Sequence, residues 1–209
     1  MTASPEQCHE VLKALGLSAG IFGGILAFLW AADRFILQRW RKTPSCAARR
    51  PIGWGLFEDT LVWALPITIA TLVISLCCSA VAEVCGLEMP KQQLVQMLQT
   101  NFFPDYVRAA IAAFALFEAP LLEEGIFRRF LFRNLLKKDG GGFWLAASIS
   151  GALFALAHFN ALTFLPLWFF GLAMAWAYHR TGRLIVPMMI HFLFNLTNLL
   201  LIFIFPEMP

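Results

Sequence analysis

The sequence predicts an all-α fold, a polytopic membrane helix bundle of about six transmembrane helices. Three observations carry this. Of 209 residues, 59% are hydrophobic and 14% charged, against about 45–50% and 25% in an ordinary soluble domain. A chain of this size still exposes about 30% of its unfolded surface after folding, so the apolar surplus must face a bilayer. The apolar residues also fall in long unbroken runs and not in alternating strands, which selects helices over a barrel. A soluble globular domain and a disordered chain are thereby excluded. A net charge of +3, with no basic stripe interleaved with aromatics, excludes nucleic acid as a partner.

The runs are read in order against a requirement of about 20 residues per span. Ala14–Ala32 and Leu61–Ala82 carry no charge. The third run, from Ala109 through Leu122, is broken only by Glu118. The fourth, Phe143–Asn160, holds His158 as its one titratable residue, the fifth, Ala161–Tyr178, is uncharged, and the sixth, Leu184–Phe205, is interrupted only by His191. Spans four and five meet at Asn160 with room for a tight turn, which predicts a helical hairpin.

Thirteen of the sixteen Lys and Arg fall in 33–50, 123–142 and 179–183. By the positive-inside rule these loops are cytoplasmic and both termini lie outside. Glu6 and Glu10 precede the first span where a signal peptide would carry positive charge, so this span is expected to be a retained anchor. Residues 87–106 form a polar outer segment. The expected division is 1–106, two transmembrane helices with their basic loop and outer segment, and 107–209, a four-helix core.

Two minor features have bland readings. Cys8, Cys46, Cys77, Cys78 and Cys85 show no metal or redox spacing and are read as structural. Gly16, Gly20 and Gly24 form a small-residue stripe that lets a helix approach closely; packing within the monomer is expected, and a homo-oligomer is left open.

Ionisable groups inside a span cost at least about 2.5–3.5 kcal/mol on insertion scales. Those that remain inside are therefore the candidates for chemistry. Glu123 and Glu124 lie on span three, His158 on span four, His191 on span six. Glu124 and Arg128 are four apart and can pair on one face. Phe154 and His158, and His191 and Asn195, repeat that spacing. At 1.5 Å per residue, Glu123 lies about 20 Å along its helix, His158 about 22 Å, and Asn195 about 16 Å, so they can meet near mid-membrane. A carboxylate beside an imidazole in a poorly hydrated site can hold and deprotonate a water. A second imidazole and an amide can stabilise an oxyanion. Glu123, Glu124, His158 and His191 are equally credible zinc ligands. Other signatures fail: His9-Glu10 begins a zinc-protease pattern, but Lys13 stands where its second histidine belongs, and no GxSxG or phosphate loop occurs.

The three pairs of positions also form motifs. Glu123–Arg128 reads EExxxR, Phe154–His158 reads FxxxH, and His191–Asn195 reads HxxxN. In this order, with Ala119-Pro120 before the paired glutamates, they resemble the motifs of the CAAX prenyl protease type II family, also called the CPBP or Abi family of intramembrane proteases. The resemblance covers about residues 109–200. Arg129 departs from it, since many members have glycine there. The resemblance implies that Glu123 activates water with the help of His158. It implies an oxyanion site at His191 and Asn195, support from Glu124 and Arg128, and a glutamate-type reaction without a catalytic metal, zinc being the alternative.

The expected function is an intramembrane endopeptidase acting on a membrane-associated protein or peptide, such as a lipidated or sorting-signal C-terminal tail, with membrane lipid around it. The alternatives are a non-enzymatic scaffold or immunity protein that keeps the fold, and a proton-coupled transporter. The transporter is disfavoured by the lack of an inverted repeat.

Overall fold

The computed structural model describes residues 3–32, 54–87, 97–98, 102–136 and 142–204. Among these residues there are six helices and no strand. α1 is Pro5–Ala32 and α2 is Trp54–Val84. α3 runs continuously over 105–135 in five pieces. An α-helical piece Asp105–Ala113 leads into a wider π-helical piece, Phe114–Glu118. Then follow α-helical Ala119–Glu124, a second π-helical piece Gly125–Phe132, and a last turn Arg133–Leu135. α4 is Phe143–Leu156, α5 is Ala161–Thr181 and α6 is Ile185–Ile204.

Among the described residues, three helical stretches are long and apolar enough to cross a membrane: Thr60–Val84, Ala161–Thr181 and Ile185–Ile204. α2 shows what its solvent is. Val62, Leu65, Ile69, Val73 and Leu76 recur every three or four residues and are all exposed, a stripe that suits hydrocarbon and not water. α4, at 14 residues, is shorter than the expected fourth span. Its end also corrects the placement of His158, which lies in the turn beyond the helix. The cause is local. Asn160 caps α5 by accepting the amides of Leu162 and Thr163 through Oδ1, and Phe159 takes a left-handed φ of 50°, so the α4 path cannot continue.

α5 is the central helix. Its Leu167, Phe170, Met174 and Ala177 pack with Ala64 and Ile67 of α2, Phe154 of α4, and Val186, Ile190 and Phe194 of α6. On its other side Ala175 and Tyr178 meet Phe132, Ala146 and Ala147. α1 is tied in through Cys8, buried with Leu98, Phe103, Val107 and Ile111.

The α4–α5 hairpin is drawn together by two glycines. A Cβ on Gly171 would stand 2.6 Å from the Cα of Gly151, so the backbones touch where no other residue fits. Trp168 Nε1 donates to the carbonyl of Ser148 at 3.2 Å across the same hairpin. The glycines expected to pack, Gly16, Gly20 and Gly24, are a correction. A Cβ on any of them meets nothing within 4 Å among the described residues, because all three glycines lie on an exposed face of α1. Cys8, Cys77, Cys78 and Cys85 are free thiols; Cys46, the whole basic 33–50 loop, Lys137 and Lys138 lie outside the described residues.

Candidate active site

The site is built where α3 crosses α6, beside the end of α4. Glu124 and Arg128 are both 0% exposed, with Arg128 Nε 3.1 Å from Glu124 Oε2. This is the pair expected from their spacing. Their contact is ionic and lies off the hydrogen-bond line, so Glu124 Oε2 and Arg128 Nε have no aligned hydrogen-bond partner. Arg128 Nη2 donates to the carbonyl of Gly171 on α5 at 3.3 Å. The close glycine contact of the hairpin thus lies beside a backbone acceptor used by the arginine. The guanidinium carbon also stands 4.7 Å from the ring centre of Phe154. Such a contact is worth about 2 kcal/mol when water is excluded.

His191 of α6 is 4% exposed and lies between the two glutamates. Nδ1 is 3.0 Å from Glu124 Oε1, and Nε2 is 3.8 Å from Glu123 Oε2. A carboxylate only accepts, so Nδ1 carries the hydrogen. Glu123, at 27% side-chain exposure, is the less enclosed of the two acids, and its Oε2 has no hydrogen-bond partner. Phe154 and Phe170 wall the imidazole edge-on at 5.8 and 5.2 Å.

His158, expected to help Glu123 activate a water, is held by the end of its own helix. Its Nδ1 lies 2.9 Å from the carbonyl of Phe154, and its ring 4.9 Å from the Phe154 ring. A carbonyl accepts only, so Nδ1 carries the hydrogen and neutral His158 presents Nε2 as a lone pair. The polar contacts of the glutamates run to Arg128 and His191 instead. Asn195, one turn after His191, donates through Nδ2 to the carbonyl of Ala115 on α3 at 2.8 Å.

The zinc alternative is not assembled. Among the described residues no three His, Cys, Asp or Glu side chains gather so as to share a metal ion. Glu124 is instead occupied by Arg128, whose positive charge opposes a second cation.

Sequence reasoning missed three contributors. Gly171 supplies a carbonyl, Ser150 Oγ ties α4 to the carbonyl of Phe127 at 2.7 Å, and Phe170 closes the wall. Only the glycines left a trace, as small residues in apolar helices.

Fold and site together define a helical membrane protein with a buried carboxylate–imidazole cluster. Comparison with known proteins shows what part of the chain resembles. Residues 106–197 match the family model described as type II CAAX prenyl endopeptidase Rce1-like, so this stretch is similar to that family. The chain is 42% identical over 81 residues to the membrane-embedded CAAX protease MroQ of Staphylococcus aureus (strain USA300), covering 36% of this chain and 32% of that protein. It is 36% identical over 76 residues to the putative membrane peptidase YdiL of Bacillus subtilis (strain 168), covering 36% and 30%. An uncharacterized 24.3 kDa protein of Escherichia coli is 31% identical over 101 residues, covering 47% and 46%. The matches thus span between about a third and a half of the relatives' length. No solved structure matches the chain.

Proposed function

We propose that the chain is an intramembrane endopeptidase that hydrolyses a peptide bond in a membrane-associated protein or peptide, without a catalytic metal. The observation that carries this reading is His191 held between a fully enclosed Glu124 and a more accessible Glu123.

In this reading Glu123 is the base. Its unsatisfied oxygen takes a proton from a water whose other hydrogen is accepted by His158 Nε2. The resulting hydroxide attacks the scissile carbonyl carbon, and the carbonyl π electrons move to its oxygen. That oxyanion is met by His191 Nε2–H and an Asn195 amide hydrogen. When the intermediate collapses, the C–N bond breaks and Glu123 returns its proton to the leaving amine. Because Nδ1 already carries a hydrogen, Nε2 of His191 donates only from the doubly protonated ring. Glu123, His191, Glu124 and Arg128 then alternate negative, positive, negative, positive and sum to zero, which suits a low-dielectric interior.

Six spans, with both termini outside, place the basic loops in the cytoplasm. Residues 107–209 hold the catalytic core and 1–106 contribute two helices and the outer segment. The substrate class is a membrane-anchored tail, lipidated or sorting-type, or a small peptide, that reaches the site from the bilayer. Comparative proteomics of membrane fractions from cells with wild type or Glu123→Ala tests it. A precursor that accumulates only in the variant is expected; identical profiles would favour a scaffold that keeps the fold.

A further inference from the structure

We propose that Pro120 is a positioning residue that acts on Asn195 through the carbonyl of Ala115; this rests on the reading of Asn195 as an oxyanion donor. Ala119 donates its amide to the carbonyl of Phe114, five residues back. In that register the next carbonyl, that of Ala115, belongs to the amide of residue 120. Residue 120 is proline and has no amide hydrogen. On the ordinary α register its ring would press on the carbonyl of Leu116, four residues back. The π-helical widening at Phe114–Glu118, which ends two residues before Pro120, relieves that clash.

The acceptor that proline leaves without its backbone donor is taken from another helix. Asn195 Nδ2 of α6 lies 2.8 Å from the oxygen of Ala115. The carbonyl only accepts, so the asparagine must turn its NH2 group toward α3, which fixes the plane of the amide. One hydrogen of Nδ2 is used there. The second hydrogen is held in a set direction on the same helical face as His191. A donor that is already oriented needs no reorganisation when charge develops. Buried Pro120 therefore joins the EExxxR helix to the HxxxN helix without touching the reacting atoms.

The test uses the full-length protein in detergent micelles, labelled with 15N in asparagine and observed by NMR. Asn195→Ala assigns the Asn195 side-chain pair among those of the chain's five asparagines. In wild type, one proton of the pair is expected well downfield of the other. Pro120→Ala restores a backbone amide that competes for the Ala115 carbonyl. The downfield proton should then move upfield, toward the position of a solvated amide, while the Asn160 pair at the start of α5 stays in place. Pro120→Val, which fills more of the ring's space, repeats the test if the alanine variant does not fold. An unchanged Asn195 pair in a folded variant overturns the proposal, as does failure of both variants to fold, which would make Pro120 a requirement of the helix alone. The readout needs no substrate. Loss of the endopeptidase reading through Glu123→Ala is thus a separate result.

Discussion

Nδ1 of His191 lies 3.0 Å from Oε1 of Glu124, two residues from different helices and 67 positions apart. This contact joins the first and last motifs. It also gives the second glutamate a role distinct from the first, since Glu124 is fully enclosed between His191 and Arg128, while Glu123 is partly exposed and lies 3.8 Å from His191.

Removing Arg128 should leave Glu124 as a buried charge without its cation. Arg128→Ala is expected to cost about 3–5 kcal/mol, the usual penalty for breaking a buried pair from one side. Arg128→Ala combined with Glu124→Ala should cost less than the sum of the two single changes. Thermal unfolding in detergent checks both, and strict additivity would show that the pair is not coupled.

Glu123→Gln should have the opposite profile. Glu123 is partly exposed and makes no hydrogen bond through Oε2, so the fold should be kept. Loss of a general base typically removes about 10²–10⁴-fold of rate. Turnover of the precursor found by the membrane comparison, measured beside the melting temperature, separates the two effects.

Gly171→Ala places a Cβ 2.6 Å from the Cα of Gly151 and must push α5 from α4, moving the carbonyl that Arg128 uses. A large drop in melting temperature is expected. Gly16→Ala, where a Cβ meets nothing within 4 Å, should be neutral or should stabilise by up to about 1 kcal/mol through helix propensity. Similar losses at both positions would contradict the packing described.

Helix class, the Glu124–Arg128 pair and the residues that gather at the site were legible in the sequence, because burial of charge in apolar runs and four-residue spacing are local signals. The positions of His158 and Asn195 were not. His158 leaves α4 because Asn160 and Phe159 start the next helix two residues later, a matter of capping that hydropathy does not register. Asn195 turns to α3 because Pro120 withholds an amide 75 positions away, which spacing along one helix cannot show. The six-span count rests on hydropathy, and three spans are evident by length and composition among the described residues.

Chelation should leave cleavage intact, since Arg128 holds Glu124 and no three ligands gather among the described residues. Activity assayed after exhaustive dialysis against a chelator checks this. Loss that returns only with added Zn²⁺ would reinstate the metal reading.

The most direct measurement is cleavage by the purified protein in liposomes, using as substrate the precursor that accumulates in Glu123→Ala membranes. Wild type is expected to cut it at a single position, while folded Glu123→Ala is not. Equal cleavage by the two, with both folded, would contradict the assignment of Glu123 as the base.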